Sequence, residues 1–154
     1  MRRAGWWVLA LAALGAGCDD GGGSDGAGGS GGGTGPLAGD TYVAGLTHMG
    51  AAGALEVRLM EATPAPPELG DNTWQVAIVD AAGAPQAGCT VEPSPRMPAH
   101  GHGTNTPAVV RELGEGSYEI TPLDLFMPGL WEVPLHLVCG DAEDEVLFAF
   151  WIEG

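Results

Sequence analysis

The 154-residue chain contains no lysine, and its basic side chains are five arginines, two of them at positions 2 and 3. Twenty acidic residues oppose them, for a formal charge of −15. Such a surface repels nucleic acid and anionic lipid headgroups, so no nucleic-acid partner is expected. It attracts cations, metal ions included, although acidity also serves simply to keep a protein in solution. No stretch has a convincing amphipathic helical period. Its longest apolar run is too short to cross a bilayer comfortably as a helix. Catalytic signatures are missing too. There is no serine-centred elbow, no His-Glu-x-x-His and no phosphate loop, and the acids are scattered rather than paired. No enzymatic activity is expected.

Cysteine is scarce, with three copies, at Cys18, Cys89 and Cys139. The first follows a stretch that reads as a secretory signal over residues 1–17. Arg2 and Arg3 form its charged start, Trp6 to Leu14 its apolar segment and Gly15-Ala16-Gly17 its cleavage region. Cys18 then resembles the lipidated cysteine of a bacterial lipoprotein, with Leu14 one position earlier than that pattern places it; the alternative is a secreted protein with a spare thiol. Residues 18–39 are mostly Gly, Ser, Ala, Thr and Asp and read as a lipidated cysteine followed by a flexible tether. These features predict a bacterial cell-envelope location, with the protein held to a membrane by its lipid. Loss of Arg2 and Arg3 with the signal leaves three arginines and twenty acids, 3 − 20 = −17.

Residues 40–154 then form one domain of roughly 115 residues, a common domain size. Cys89 and Cys139 are expected to pair, because an exported domain meets an oxidising compartment. A bridge over about fifty residues stabilises by roughly 4 kcal/mol on the chain-entropy account. A thiolate metal site is the alternative. The apolar period in this domain is two. Leu55, Val57 and Leu59 alternate with polar residues, as do Trp74, Val76 and Ile78, then Tyr118 and Ile120, and Leu123, Leu125 and Met127. Trp131, Val133, Leu135 and Leu137 form one face of a long strand, and Val146, Phe148 and Phe150 one face of the last. Tyr42 to Leu46 suggests a first strand running into His48-Met49, a short strand surrounds Cys89 to Val91, and Ala108 to Leu113 forms another. Seven or eight such strands, punctuated by turn signals, imply an all-β chain: an antiparallel β-sandwich of immunoglobulin-like architecture. Trp74 and Trp131 read as core aromatics, and the Cys89–Cys139 bridge could join the two sheets.

The stretch Pro93 to Pro107 breaks this pattern. It has neither a helical nor a strand period and reads as a proline-bounded functional loop. His100 and His102 flank Gly101, a spacing that turns two extended side chains the same way. Met97 adds a thioether, and imidazole with thioether suits copper, Cu(I) in particular. The plainer reading has both imidazoles bonded to loop carbonyls. Met127, His136 and the pair His48-Met49 are further donors, each of which also reads as an ordinary turn or surface residue.

The runs Met97-Pro98-Ala99-His100-Gly101-His102-Gly103, Gly116-Ser117-Tyr118 and Met127-Pro128-Gly129-Leu130-Trp131-Glu132-Val133 resemble the YtkA-like/FixH-like domain. The likeness covers roughly Asn72 to Ile152. It implies an immunoglobulin-like β-sandwich exported by bacteria and, through the FixH-like side, a link to copper handling or oxidase assembly. The chain departs from FixH in having a lipoprotein-type start and a tether in place of a transmembrane helix. The expected function is a non-catalytic envelope lipoprotein that binds a metal ion, copper first, through Met97, His100, His102 and Met127. The alternative is a structural or protein-interaction lipoprotein with a protein partner in the envelope.

Overall fold

A computed structural model describes residues 38–154. The expected signal peptide, Cys18 and the tether up to residue 37 lie outside the described residues. The described chain contains no helix and forms two five-stranded sheets, antiparallel throughout, packed face to face. One sheet has the order β1 (Leu46–Met49), β2 (Leu55–Thr63), β3 (Gly70–Asp80), β8 (Ser117–Leu125), β7 (Val109–Gly114). The other runs β10 (Ala142–Ile152), β9 (Gly129–Cys139), β5 (Arg96–Met97), β6 (His102–Gly103), with β4 (Thr90–Pro93) also paired to β9.

The core is the set of alternating residues expected of a two-layer sandwich. Leu55, Val57, Leu59, Trp74, Val76 and Ile78 face Trp131, Val133, Leu135, Val146 and Phe148, all at most 1% exposed. Period-two alternation buries one whole face of each strand, and face-to-face packing removes both faces from water. The two tryptophans are core residues, as expected, and the Trp74 indole meets Phe148 and Phe150 edge-on at 5.8 and 5.5 Å between ring centroids.

Two irregularities change the phase of this alternation. Between Leu59 and Glu61 the β2 register shifts, so Ala62 rather than Glu61 continues the buried face. Opposite Pro122 the β3–β8 register shifts between Asn72 and Trp74. That shift lets Tyr118 and Ile120, then Leu123 and Leu125, all point inward despite their odd spacing, which is what a bulge does.

Three expectations are corrected. There are ten strands rather than seven or eight. The additional pair, β5 and β6, has two residues each, too few to show a period. The first strand begins at Leu46, not Tyr42; the Tyr42 hydroxyl instead accepts from the Ala62 amide at 3.1 Å. The Cys89–Cys139 disulfide is present, with a Cα–Cα distance of 4.3 Å, but it does not join the two sheets. Thr90 opposes Val138 on β9, so Cys89 reaches Cys139 across the next step of the same ladder. The bridge fastens the start of β4 to the end of β9 within one sheet. Tyr118 supports it from the other sheet: its hydroxyl donates to the Gln86 carbonyl at 2.8 Å and accepts from the Cys89 amide at 2.9 Å. Burial pushes the Tyr118 phenol above its usual pKa and the Glu112 charge adds to this, while the Cys89 amide acts in the opposite direction.

Candidate functional site

The proline-rich stretch is a hairpin, not an irregular loop. Arg96 opposes Gly103 and Met97 opposes His102. Pro98 to Gly101 close the turn. The His100 and Gly101 amides both donate to the Met97 carbonyl, at 3.1 and 3.0 Å. Pro98 sits where the first corner of a four-residue turn needs a preset φ. Gly101 has φ +66°, a left-handed conformation that costs glycine nothing. Gly103 has a different requirement: a Cβ there would meet the Pro95 carbonyl oxygen.

Three contacts fix the hairpin on the sandwich. Arg96 Nε donates to Glu132 Oε2 at 2.8 Å, directly across the β5–β9 pairing, and Glu132 is 7% exposed. Asp124 Oδ2 on β8 accepts from the hydroxyls of Thr104 and Thr106, at 3.2 and 2.8 Å, and so ties the exit of the hairpin to the other sheet. Met97 is the third anchor. Its side chain lies in the core cluster, 1% exposed, with its Cε against Gly129, where a Cβ would come within 2.7 Å.

Met97, expected as a thioether ligand beside the imidazoles, thus has its side chain in the core. Directly opposed residues of an antiparallel pair leave the ladder on the same side, so Met97 and His102 share a face. Met97 is the inner member and fills the core. His102 is the outer member and stays exposed, its ring stacked on Phe126 with centroids 5.7 Å apart and planes 22° apart. Phe126 is 44% exposed and meets Trp131 edge-on at 5.5 Å. The His100 ring lies 5.6 Å from that of His102, tilted by 42°. His102 Nδ1 lies 3.3 Å from the Gly103 carbonyl. The tautomer that donates there keeps the Nε2 lone pair free as an acceptor or ligand.

The other expected donors are scattered. Met127 is half-buried against the core, and its carbonyl accepts from Trp131 Nε1 at 2.8 Å. His136 stands on the outer face of β9, four residues beyond Glu132 and so about 13 Å along the strand. There its Nε2 lies 3.0 Å from Glu143 Oε1, and its Nδ1 3.8 Å from Glu92 Oε2. His48 packs edge-on against Phe148 at 4.8 Å, with Nε2 3.2 Å from Asp40 Oδ1. Among the described residues no three His, Cys, Asp or Glu side chains converge as a metal-holding group. The structure therefore brings His100, His102 and Phe126 together, packs Met97 and part of Met127 against the core beneath them, and leaves His136 and His48 with carboxylate partners of their own.

The sequence reading also passed over Asp144. It lies in phase with Val146, Phe148 and Phe150 on the inward face of β10 and is 4% exposed. Oδ1 accepts from the amides of Ala52 and Glu145, and Oδ2 from those of Ala54 and Leu55, at 2.8 to 3.0 Å. The legible signal was an aspartate continuing an apolar alternation. Its role is structural: it holds the turn between β1 and β2 against β10.

A family model described as YtkA-like matches residues 51–136, more than half of the chain. The match takes in β2, which the resemblance described above left out, and ends before β10. No curated protein and no solved structure matches.

Proposed function

We propose, from the premise that the chain belongs to the YtkA-like family, that this domain is a non-catalytic envelope module presenting His100 and His102 as an open two-imidazole site for one copper ion. The observation that carries the reading is the 5.6 Å between the two exposed rings. Two imidazoles whose nitrogens each stand about 2.0 Å from a shared ion have centroids roughly 5–6 Å apart. The His102–Phe126 stack and the Met97 anchor hold one wall of that site in place. Copper suits the donor set because imidazole binds both of its oxidation states. When bound, the ion would supply a redox-capable soft centre; the chain itself supplies two neutral nitrogens and a fixed approach. With the Met97 sulfur packed in the core, further ligands come from water or from a partner that receives or delivers the ion. The FixH-like side of the resemblance points the same way.

The test is a competition titration of Cu(I) and Cu(II) against a chelator. Wild type is expected to bind one equivalent, and His100→Ala/His102→Ala is expected to weaken binding by at least a hundredfold while leaving the fold intact. Met97→Leu, which roughly conserves volume, is expected to keep the affinity within a fewfold, whereas Met97→Ala should lower stability by about 2–4 kcal/mol. Imidazole binds metal only when neutral, so affinity should fall on acidification. Unchanged copper affinity in the double histidine variant would remove the hairpin as the site. It would leave the exposed His102–Phe126 surface as a protein-contact patch, the alternative reading.

We further propose that the domain is held at a membrane through lipidated Cys18. Cys18→Ser should move the protein from the membrane fraction to the soluble one. Equal release of wild type and variant by aqueous washing would contradict the anchor.

A further inference from the structure

A cleft of about 460 Å³ opens where the start of β3 meets the end of β10. It shares no lining residue with the His100–His102 hairpin. Pro66, Leu69 and Trp151 provide apolar walls, and Asp40, Glu68 and Glu153 provide three carboxylates. Among the described residues no basic side chain lines it. Its volume falls in the range of small-molecule pockets.

The walls are built in. The Glu68 backbone is held on both sides by Asn72, which is 1% exposed: the Glu68 amide donates to Asn72 Oδ1 at 3.0 Å, and its carbonyl accepts from Asn72 Nδ2 at 2.8 Å. Asp40 Oδ2 accepts from the Ala149 amide at 2.8 Å, with Oδ1 3.2 Å from His48 Nε2. Trp151 leaves the outer face of β10 opposite Leu130 and is 66% exposed, a large aromatic surface left in water.

Each ligand class meets this cleft differently. Three carboxylates, of which Glu68 and Glu153 have no ion-pair partner among the described residues, repel an anion. A hydrated metal ion gains nothing from tryptophan and proline walls. A neutral apolar molecule gains nothing from the carboxylates. An organic cation uses both: an indole face attracts an ammonium group, most strongly when part of its water shell is removed, and nearby carboxylates add attraction.

We propose that this cleft binds a small organic cation of the choline type, an ammonium head that carries no anion of its own. Trp151 receives the head on its indole face, Glu68 and Glu153 supply the attraction, and Pro66 and Leu69 contact the methyl or alkyl groups.

The test is calorimetric titration of the mature protein with three probes. Choline carries the charge, 3,3-dimethylbutan-1-ol has the same shape without it, and glycine betaine adds a carboxylate. Choline is expected to bind in the millimolar range or tighter, at least tenfold better than either of the others, and to weaken with added salt. Trp151→Ala and Glu68→Gln/Glu153→Gln change exposed side chains, and each is expected to weaken choline at least tenfold with unchanged thermal unfolding. Absence of saturable choline binding overturns the proposal, as does equal binding of choline and its neutral isostere or wild-type affinity in both variants. The cleft shares no lining residue with the hairpin, so these substitutions are expected to leave any copper binding there unchanged and the two readings fail separately.

Discussion

Replacing Asp144 with alanine is expected to destabilise the domain by about 2–4 kcal/mol, because it strands one buried and three part-buried amides that its carboxylate now satisfies. Four backbone N–H groups converge on the two oxygens, from Ala52, Ala54, Leu55 and Glu145. Three of these amides belong to the segment that turns β1 into β2, and the strand carrying Asp144 belongs to the other sheet, so the loss loosens one edge of the sandwich. For a domain of roughly this size the melting temperature should fall by about 10–20 °C. Asp144→Asn keeps the shape and one acceptor oxygen and should lose less. The pH dependence separates charge from packing. Burial alone would raise the Asp144 pKa; the four amides outweigh it and hold the carboxyl below its ordinary value. A folded-state pKa below the unfolded one contributes stability that is full above the ordinary aspartate value of about 3.9 and is lost as pH falls toward the lowered folded value. Denaturant unfolding of wild type and Asp144→Asn should therefore show a gap at neutral pH that narrows on acidification below about pH 4. A constant gap across that range would mean that the amides do not stabilise the charge.

Removing the disulfide by Cys89→Ala/Cys139→Ala is expected to cost about 4 kcal/mol, the chain-entropy value for a closed loop of about fifty residues. The bridge spans a sequence separation of 50. That loop contains β4 to β9, hence the His100–His102 hairpin, and opening it enlarges the unfolded ensemble of nearly half of the folded chain. Against a typical total of 5–15 kcal/mol the loss is large. Two measurements check it. Thiol labelling of the denatured, unreduced wild type should find neither cysteine, and urea unfolding of the double variant should show the lowered midpoint with a similar slope or a somewhat larger one. Labelling of both thiols, or a loss below about 1 kcal/mol, would contradict it.

The alternation at Leu55 to Leu59, Trp74 to Ile78, Trp131 to Leu137 and Val146 to Phe150 was enough to give strands, an all-β class and the buried faces. The reason is that a pleated strand sends successive side chains to opposite sides whatever its neighbours are. The cysteine count in the same way pointed to the pairing of Cys89 with Cys139. The hairpin at Arg96 to Gly103 had no such signal, because two residues per strand carry no period and the pairing depends on β9 being alongside. Sequence brought His100 and His102 forward through their spacing, but it could not separate Met97 from them. A methionine three residues from a histidine reads as a ligand until the register turns it onto Gly129 and into the core. Phe126 became part of the His102 surface only because the end of β8 folds back beside the hairpin. Asp144 looked like one of twenty acids until the β1–β2 segment delivered three amides to it beside that of Glu145, and the disulfide became an intrasheet clasp only once β4 paired with β9. Local alternation determined which side chains are buried. Contacts between residues far apart in the chain decided what each buried or exposed group touches, and those depend on strand order, which no local pattern encodes.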